Sequence, residues 1–408
     1  MGKEICFIRS GSVKTIDSFF HGLHEYFSKE FEHLFFVNVS NVFTSKFIVD
    51  FDDDNAHCAL PANFTYVVPK SLSDFKRFLR LHDLVVVCYF SETWPDWWIH
   101  HYLRKYSIPL VYIHTHSTMG KFLYNRSNKK PVFVRLWSKA KFIYSRLLRY
   151  MAINYFLHDV DTLFISQRNK AEKIRNSIKG RYKKSEVVIT NSRFYDSFLL
   201  NNYSVSRDYV VFLDSMLPYH GDQFRFGFQP INKELYYKSL NRVLDIIKSI
   251  LGKEVVICLH PKYNEENLQR DFGERKVIKH LTDEFVAKAE LVLFHDSSAV
   301  NSAIFYRKNV IQLIGSQFND FIKKNCAVYQ EVFSFSTLDI YECDVSEIRK
   351  AIEASKIDEE EYVSFLSNYL ITSGEEGVSA SSQICRHIGL KYGISRKEED
   401  QISKRRDG

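Results

Sequence analysis

The stretch from Glu290 to Leu313, ELVLFHDSSAVNSAIFYRKNVIQL, decides the fold. Its run LVLF has the length of a buried strand, NVIQL reads as a second strand, and between them VNSAIFYR repeats apolar residues at helical spacing. Asp296, Ser297 and Ser298 stand at the first junction, where the two serines are expected to open the helix. A helix start has unpaired backbone N–H groups and a positive dipole end. Hydroxyls placed there either cap the helix or, together with those N–H groups, hold a phosphate. The stretch by itself leaves both roles open.

The same alternation extends in both directions. Toward the amino end lie the strand-like runs EICFIRS, HLFFVNVS, DLVVVCYF, IPLVYIHTH, TLFISQ and EVVITNS, with a helix-like DSFFHGLHEYFSKEF after the first. A polar segment, NNYSVSRD (Asn201 to Asp208), interrupts the pattern. A second series then begins: YVVFLD, EVVICLH, KVIKHL, LVLFHD and NVIQLI, with the helix ELYYKSLNRVLDIIKSILG between its first two members and Gly252 as the stop. Strands alternating with helices predict mostly parallel, doubly wound α/β sheets. A chain of 408 residues exceeds one ordinary core and suits two domains, which implies a cleft. The boundaries expected are 1–203 and 204–375 for two Rossmann-like domains, 376–394 for a last helix, and 395–408 for a charged tail that frays.

Composition narrows the classes. Hydrophobic residues make up 45% and charged residues 26%, with only 8 prolines, so the chain folds rather than remaining disordered. The net charge of +7 is moderate for this length and unevenly placed, which points to a basic surface and not to nucleic-acid binding by the whole protein. Cys6, Cys58, Cys88, Cys258, Cys326, Cys343 and Cys385 form no C-x-x-C pair and several fall in strand-like runs, so a reduced, cytoplasmic location is expected. The start MGKEICFIRSGS lacks the apolar run of a secretion signal and carries Cys6 where a myristoylation motif has Ser or Thr. No apolar stretch reaches the roughly 20 residues of a membrane span. Neither G-x-G-x-x-G nor a P-loop motif is present, which removes the dinucleotide-binding and P-loop readings of paired α/β domains.

Three polar clusters converge on one expected sheet edge. EVVICLH ends in His260-Pro261-Lys262, LVLFHD in Asp296-Ser297-Ser298, and YVVFLD runs into a loop carrying Asp214, His220 and Asp222. Open α/β sheets bind ligands at the carboxyl ends of their strands. A histidine there can donate to a phosphate or leaving group, Lys262 adds positive charge, and a carboxylate can deprotonate a sugar hydroxyl. This suits a phosphate-linked sugar donor and needs no metal or other cofactor. Asp222, on the loop, is the preferred base, with Asp214 capping or orienting the loop. Asp222 also reads as a solvated turn aspartate beside Gly221.

With His260-Pro261 and Ser297-Ser298 in this order on these strand ends, the chain resembles two-domain GT-B glycosyltransferases that use CMP-activated acidic sugars. These are the bacterial sialyltransferases and Kdo transferases of capsule and O-antigen synthesis. The resemblance covers about Tyr209 to Leu313. It implies two Rossmann-like domains facing a central cleft, His260 at the donor phosphate or leaving group, Ser297 and Ser298 on the phosphate, and an acidic base. It also implies that the last helix, SASSQICRHIGL, crosses back to the first domain after a bend at GEEG. The family's acidic-acidic-Gly motif is absent; HGDQ stands nearest to it.

In the first half, Glu92, His114 and His116 end strands and are candidate acceptor contacts. The two histidines lack the carboxylate motif of a metal pair. Trp94, Trp97 and Trp98 can stack on sugar rings or simply pack. VFVRLWSKAKFIYSRLLRYMAINYFL (Val132 to Leu157) reads as a basic amphipathic helix, suited either to an anionic membrane surface or to a solvated face. More basic residues between Arg168 and Lys184 favour the inner face of the cytoplasmic membrane.

Taken together, these features lead to a peripheral glycosyltransferase that moves sialic acid or Kdo from a CMP donor to a glycan or lipid-linked glycan acceptor. A CDP-polyol-phosphate transferase, or a non-catalytic protein binding anionic lipid or nucleic acid, is the alternative.

Overall fold

The computed structural model describes residues 3–9, 23–39, 42, 60–88, 96–114, 157–166, 184–201, 203–221, 223, 227–356 and 358–397. These fall into two compact units. One collects the described residues up to 114, 157–193 and 371–397; the other spans 194–370.

The first unit holds a seven-stranded, all-parallel sheet: β1 (Glu4–Arg9), β2 (Leu34–Asn38), β3 (Phe64–Val67), β4 (Leu84–Cys88), β5 (Leu110–His114), β6 (Thr162–Ile165) and β7 (Glu186–Ile189). Their spatial order is β3-β2-β1-β4-β5-β6-β7. Parallel strands are covered on both faces, hence the near-continuous apolar runs. The period of two still sorts them: Ile5 and Phe7 join one core with Phe27, Val85 and Val87, whereas Cys6 and Ile8 join the other with Phe75, Ile99 and Leu103. The last helix, Ala380–Tyr392, is capped by Ser379, whose side chain accepts from the Ser382 N–H. It adds Ile384, Cys385 and Ile388 to the first of these cores.

The second unit holds β8 (Tyr209–Leu213), β9 (Val255–Cys258), β10 (Val277–Ile278), β11 (Ala289–Phe294), β12 (Asn309–Ile314) and β13 (Ser336–Asp339). All pairings are parallel, in the order β10-β9-β8-β11-β12-β13. The strand order reverses between β8 and β11, as it does between β1 and β4 in the first sheet. The helix Lys233–Leu251 starts at Asn232, whose side chain accepts from the Leu235 N–H. It stops at Gly252, whose left-handed φ of 63° lets its N–H reach the Lys248 carbonyl.

The division between units lies ahead of the polar segment at 201–208. Helix Arg193–Leu200 turns its aromatic residues onto the second unit: Phe198 stacks on Phe305 at 5.1 Å, and Tyr195 lies 5.6 Å from the same ring. The chain re-enters the first unit at Ile371. There Asn191, fully buried, donates to the Glu375 and Val378 carbonyls and accepts from the Thr372 N–H. The glycines of the expected bend, Gly374 and Gly377, both have left-handed φ values. The start of the charged tail is tied down rather than loose: Arg396 pairs with Glu30, and Lys397 donates to the Ser28 carbonyl.

Candidate active site

β8 delivers Asp214 at its carboxyl end. The side chain is buried; Oδ1 accepts the Met216 N–H at 2.9 Å and Oδ2 faces the His260 N–H at 3.5 Å. Met216 has a φ of 54°, unusual for a residue with a side chain, and the carboxylate supports that turn. Burial pushes the Asp214 carboxyl up to about 7; the two N–H groups oppose this shift, while Asp271 and Asp296 add to it. The carboxyl's hydrogen bonds thus run to its own two loops.

Beyond β9, His260 receives the Lys262 N–H on Nδ1 at 3.1 Å, which leaves its neutral form with the proton on Nε2. Burial, then the neighbouring His220 and Lys262, hold the imidazole below its ordinary 6.5, against the pull of Asp296. The His220 ring lies 6.4 Å away at a steep angle. The strand ends at Cys258, and Pro261 and Lys262 beyond it are exposed.

Beyond β11, His295 is fully buried. Its Nδ1–H donates to the Leu313 carbonyl at 2.6 Å and Nε2 accepts the Tyr236 hydroxyl at 2.9 Å, and burial holds it neutral, far below its ordinary value. Asp296 turns toward the helix Asp320–Gln330, where Asn325 donates to its carboxylate at 2.9 Å and Tyr329 to its carbonyl at 3.0 Å. The two serines do not cap the next helix, contrary to the expectation. Val300–Phe305 begins from Ala299, without a side-chain cap, because the chain makes a turn through Ser298 and Ala299 first. Among the described residues, Ser297 Oγ accepts the Ala299 N–H, at 3.4 Å, and both serines are half-buried.

The register brings these ends together. Leu213 pairs with Cys258 on one side and Phe294 on the other, so Asp214, His260 and the Asp296-Ser297-Ser298 turn follow three adjacent strands at the point where strand order reverses. At that reversal point doubly wound sheets commonly bind ligands. One strand further along, a cavity of about 230 Å³ opens beyond β12 and is lined by Gly315, Ser316, Phe318, Lys323 and Asp339. The Ser316 N–H donates to Asp339 at 2.5 Å, and Lys323 to the Ser316 carbonyl at 2.7 Å.

Asp222, Glu92, His116, Trp94 and residues 132–156 lie outside the described residues. His114 ends β5, exposed, with its ring 5.7 Å from that of Tyr112. Trp98 packs against the first unit's core beside Tyr102. Among the described residues no three His, Cys, Asp or Glu side chains are grouped to hold a metal ion, and no helix is long and apolar enough to cross a membrane.

Two solved structures share the fold over nearly the whole chain. One is a putative UDP-N-acetylglucosamine 2-epimerase from Listeria monocytogenes (12% identity, 96% of this chain and 97% of that one, TM-score 0.51). The other is the glycotransferase of kitacinnamycin (10% identity, 96% and 99%, TM-score 0.51). The chain has the GT-B fold. No protein-family model matches the sequence, and no curated protein matches it.

Sequence reasoning missed Asn325 as the partner of Asp296. Its signal was present: in DFIKKNCAVYQ it shares the buried stripe with Phe321, Ile322, Cys326 and Tyr329, an amide where an apolar residue belongs. Asp271 carried no such signal, since the short helix Leu268–Phe272 shows no period.

Proposed function

We propose that this chain is a glycosyltransferase whose second unit binds a nucleotide-activated sugar, with CMP-linked sialic acid or Kdo as donor and a bacterial surface glycan or lipid-linked glycan as acceptor. The observation that carries this reading is the meeting of His260, Asp214 and the Ser297-Ser298 turn at the reversal point of the second sheet. The adjoining cavity, about 230 Å³, has room for a nucleobase.

In the proposed reaction the acceptor hydroxyl attacks the anomeric carbon and gives its proton to a carboxylate, for which Asp222 is the candidate. The bond from that carbon to the phosphate oxygen breaks, and its electron pair stays on the nucleotide. His260 Nε2–H, the two serine hydroxyls and the Lys262 charge meet the developing negative charge, with no metal in the scheme. Pro261 fixes the His260 turn, and Asp296 anchors the serine turn through Asn325. Glu92, His114 and His116 are assigned to the acceptor, and the basic stretch at 132–157 to an anionic membrane surface.

The test is a donor screen with purified protein and acceptor glycan, covering CMP-sialic acid, CMP-Kdo, UDP-GlcNAc, a GDP-sugar and CDP-glycerol. Release of CMP with sugar transfer is the expected result. Turnover of UDP-sugars alone would replace the donor, CDP-glycerol turnover alone would select polyol-phosphate transfer, and binding of none would overturn the enzymatic reading.

A further inference from the structure

Two loops present the imidazoles of the site, and each is anchored at a distance. Tyr219, one residue before His220, donates its hydroxyl to Asp271 Oδ2 at 2.7 Å. Tyr263, three residues after His260, donates to the same oxygen at 2.5 Å. Oδ1 receives Arg270 Nε at 2.9 Å, and Arg270 also donates to the Tyr219 hydroxyl at 2.7 Å. The Asp271 side chain is 1% exposed. Its own backbone carbonyl takes the Asn241 amide at 2.9 Å, which fixes it to the long helix Lys233–Leu251.

We propose that Asp271 is a positioning residue that sets the separation of His220 and His260 by gathering the hydroxyls of Tyr219 and Tyr263 on one carboxylate oxygen. The inference rests on the reading of His260 as a phosphate contact. The geometry supports a specifying role over a purely stabilising one. Tyr263 and Tyr219 already pack ring to ring at 5.9 Å, and Tyr263 packs on Phe272 at 5.8 Å, so phenylalanines would preserve the apolar contacts. A buried charge cluster adds little stability over an apolar one, but it fixes geometry. Asp271 stays ionised because its burial is outweighed by the bonds from Arg270, Tyr263 and Tyr219. With Asp214 tying the same two loops at their roots through Met216 and His260, the imidazoles are held from both ends. Their 6.4 Å separation lets one anion be shared.

The experiment uses the full chain with Asp271→Asn, Tyr219→Phe, Tyr263→Phe and the double Phe variant. Two readouts are made: the NMR titration of the His260 ring and calorimetric binding of CMP. His260 faces His220, Lys262, Lys279 and Asp296, and its burial and the nearby cations depress its titration. Loosened loops expose the ring and separate it from His220, so its midpoint moves up toward 6.5. CMP affinity is expected to fall about 10-fold, the scale of one lost hydrogen bond to a charged group. Adding Asp271→Asn to the double Phe variant should add little, since both break one linkage. A folded double Phe variant with unchanged His260 midpoint and unchanged CMP affinity overturns the proposal, as do fully additive effects. If Asp271→Asn does not fold, the Phe variants decide. If the wild-type chain binds no CMP, the donor reading fails, and the His260 titration still decides the role of Asp271.

Discussion

The Lys262 backbone N–H donates to His260 Nδ1 at 3.1 Å, and this one bond leaves the neutral ring with its proton on Nε2. The ring is thereby set as a donor at neutral pH, and among the described residues no carboxylate bonds to it. His260→Ala is expected to lower turnover roughly 100-fold, the scale of a lost donor to developing negative charge. The freed Lys262 N–H is exposed to water, so melting should change little. A variant with near wild-type turnover would remove His260 from the chemistry.

Because Ala299 and not a serine precedes the helix Val300–Phe305, replacing Ser297 and Ser298 together with alanine spares the helix its usual cap penalty of about 1 kcal/mol. Stability is expected to hold. Loss of hydrogen bonds to a phosphate, at about 1.5–3 kcal/mol each, should lower CMP affinity roughly ten-fold or more. Calorimetry and thermal melting read the two effects separately. Unchanged affinity would make the turn a purely structural connection.

How much was legible in the sequence depends on the range of the interaction. Gly252 as a helix stop and the apolar runs of β1, β8 and β11 are local signals, and the structure reproduces them. The short edge strands β3 (FTYV) and β13 (STLD) were not legible, because a half-exposed edge needs no apolar run. The serines looked like a cap because sequence places them before a helix; only coordinates show the intervening turn. His260 and Asp214 were visible as strand-end polar residues. Their mutual contact spans 46 positions, and no pattern in either segment encodes it.

Asp214 gives a pH signature of known sign. Its folded-state pKa is raised to about 7 from 3.8, so the protonated carboxyl contributes stability that is complete below pH 4 and is lost as pH rises toward 7. Asn cannot ionise and keeps an acceptor for the Met216 N–H. The melting temperature of Asp214→Asn relative to wild type should therefore climb between about pH 4 and pH 7 and level off above it. The full span is on the order of 4 kcal/mol. A difference that is flat with pH would mean that Asp214 is ionised throughout, and would return it to consideration as a base.

Asn191 is the clearest test of how the carboxyl-terminal segment is held in the first unit. Its amide side chain makes three hydrogen bonds to residues 372–378, and its backbone N–H donates to the Gln383 side chain at 2.7 Å. Asn191→Ala keeps the backbone bond but removes the partner of the half-buried Val378 carbonyl and Thr372 N–H, where each unpaired group costs about 1–3 kcal/mol before water enters, while the Glu375 carbonyl keeps the Val378 N–H. A loss of about 3 kcal/mol is expected. It should be accompanied by new proteolytic cleavage between Ile371 and Ser379, because that segment is half-buried to exposed and bends at two glycines with left-handed φ values. The helix Ala380–Tyr392 carries its own anchors, with Lys391 paired to Asp161 at 2.7 Å and to Glu186 at 2.8 Å. It should therefore stay docked. Mass spectrometry of the limited digest separates the two outcomes: cleavage confined to 371–379 supports Asn191 as a local clasp, whereas cleavage throughout 371–397 would make it the keystone of the whole returning segment.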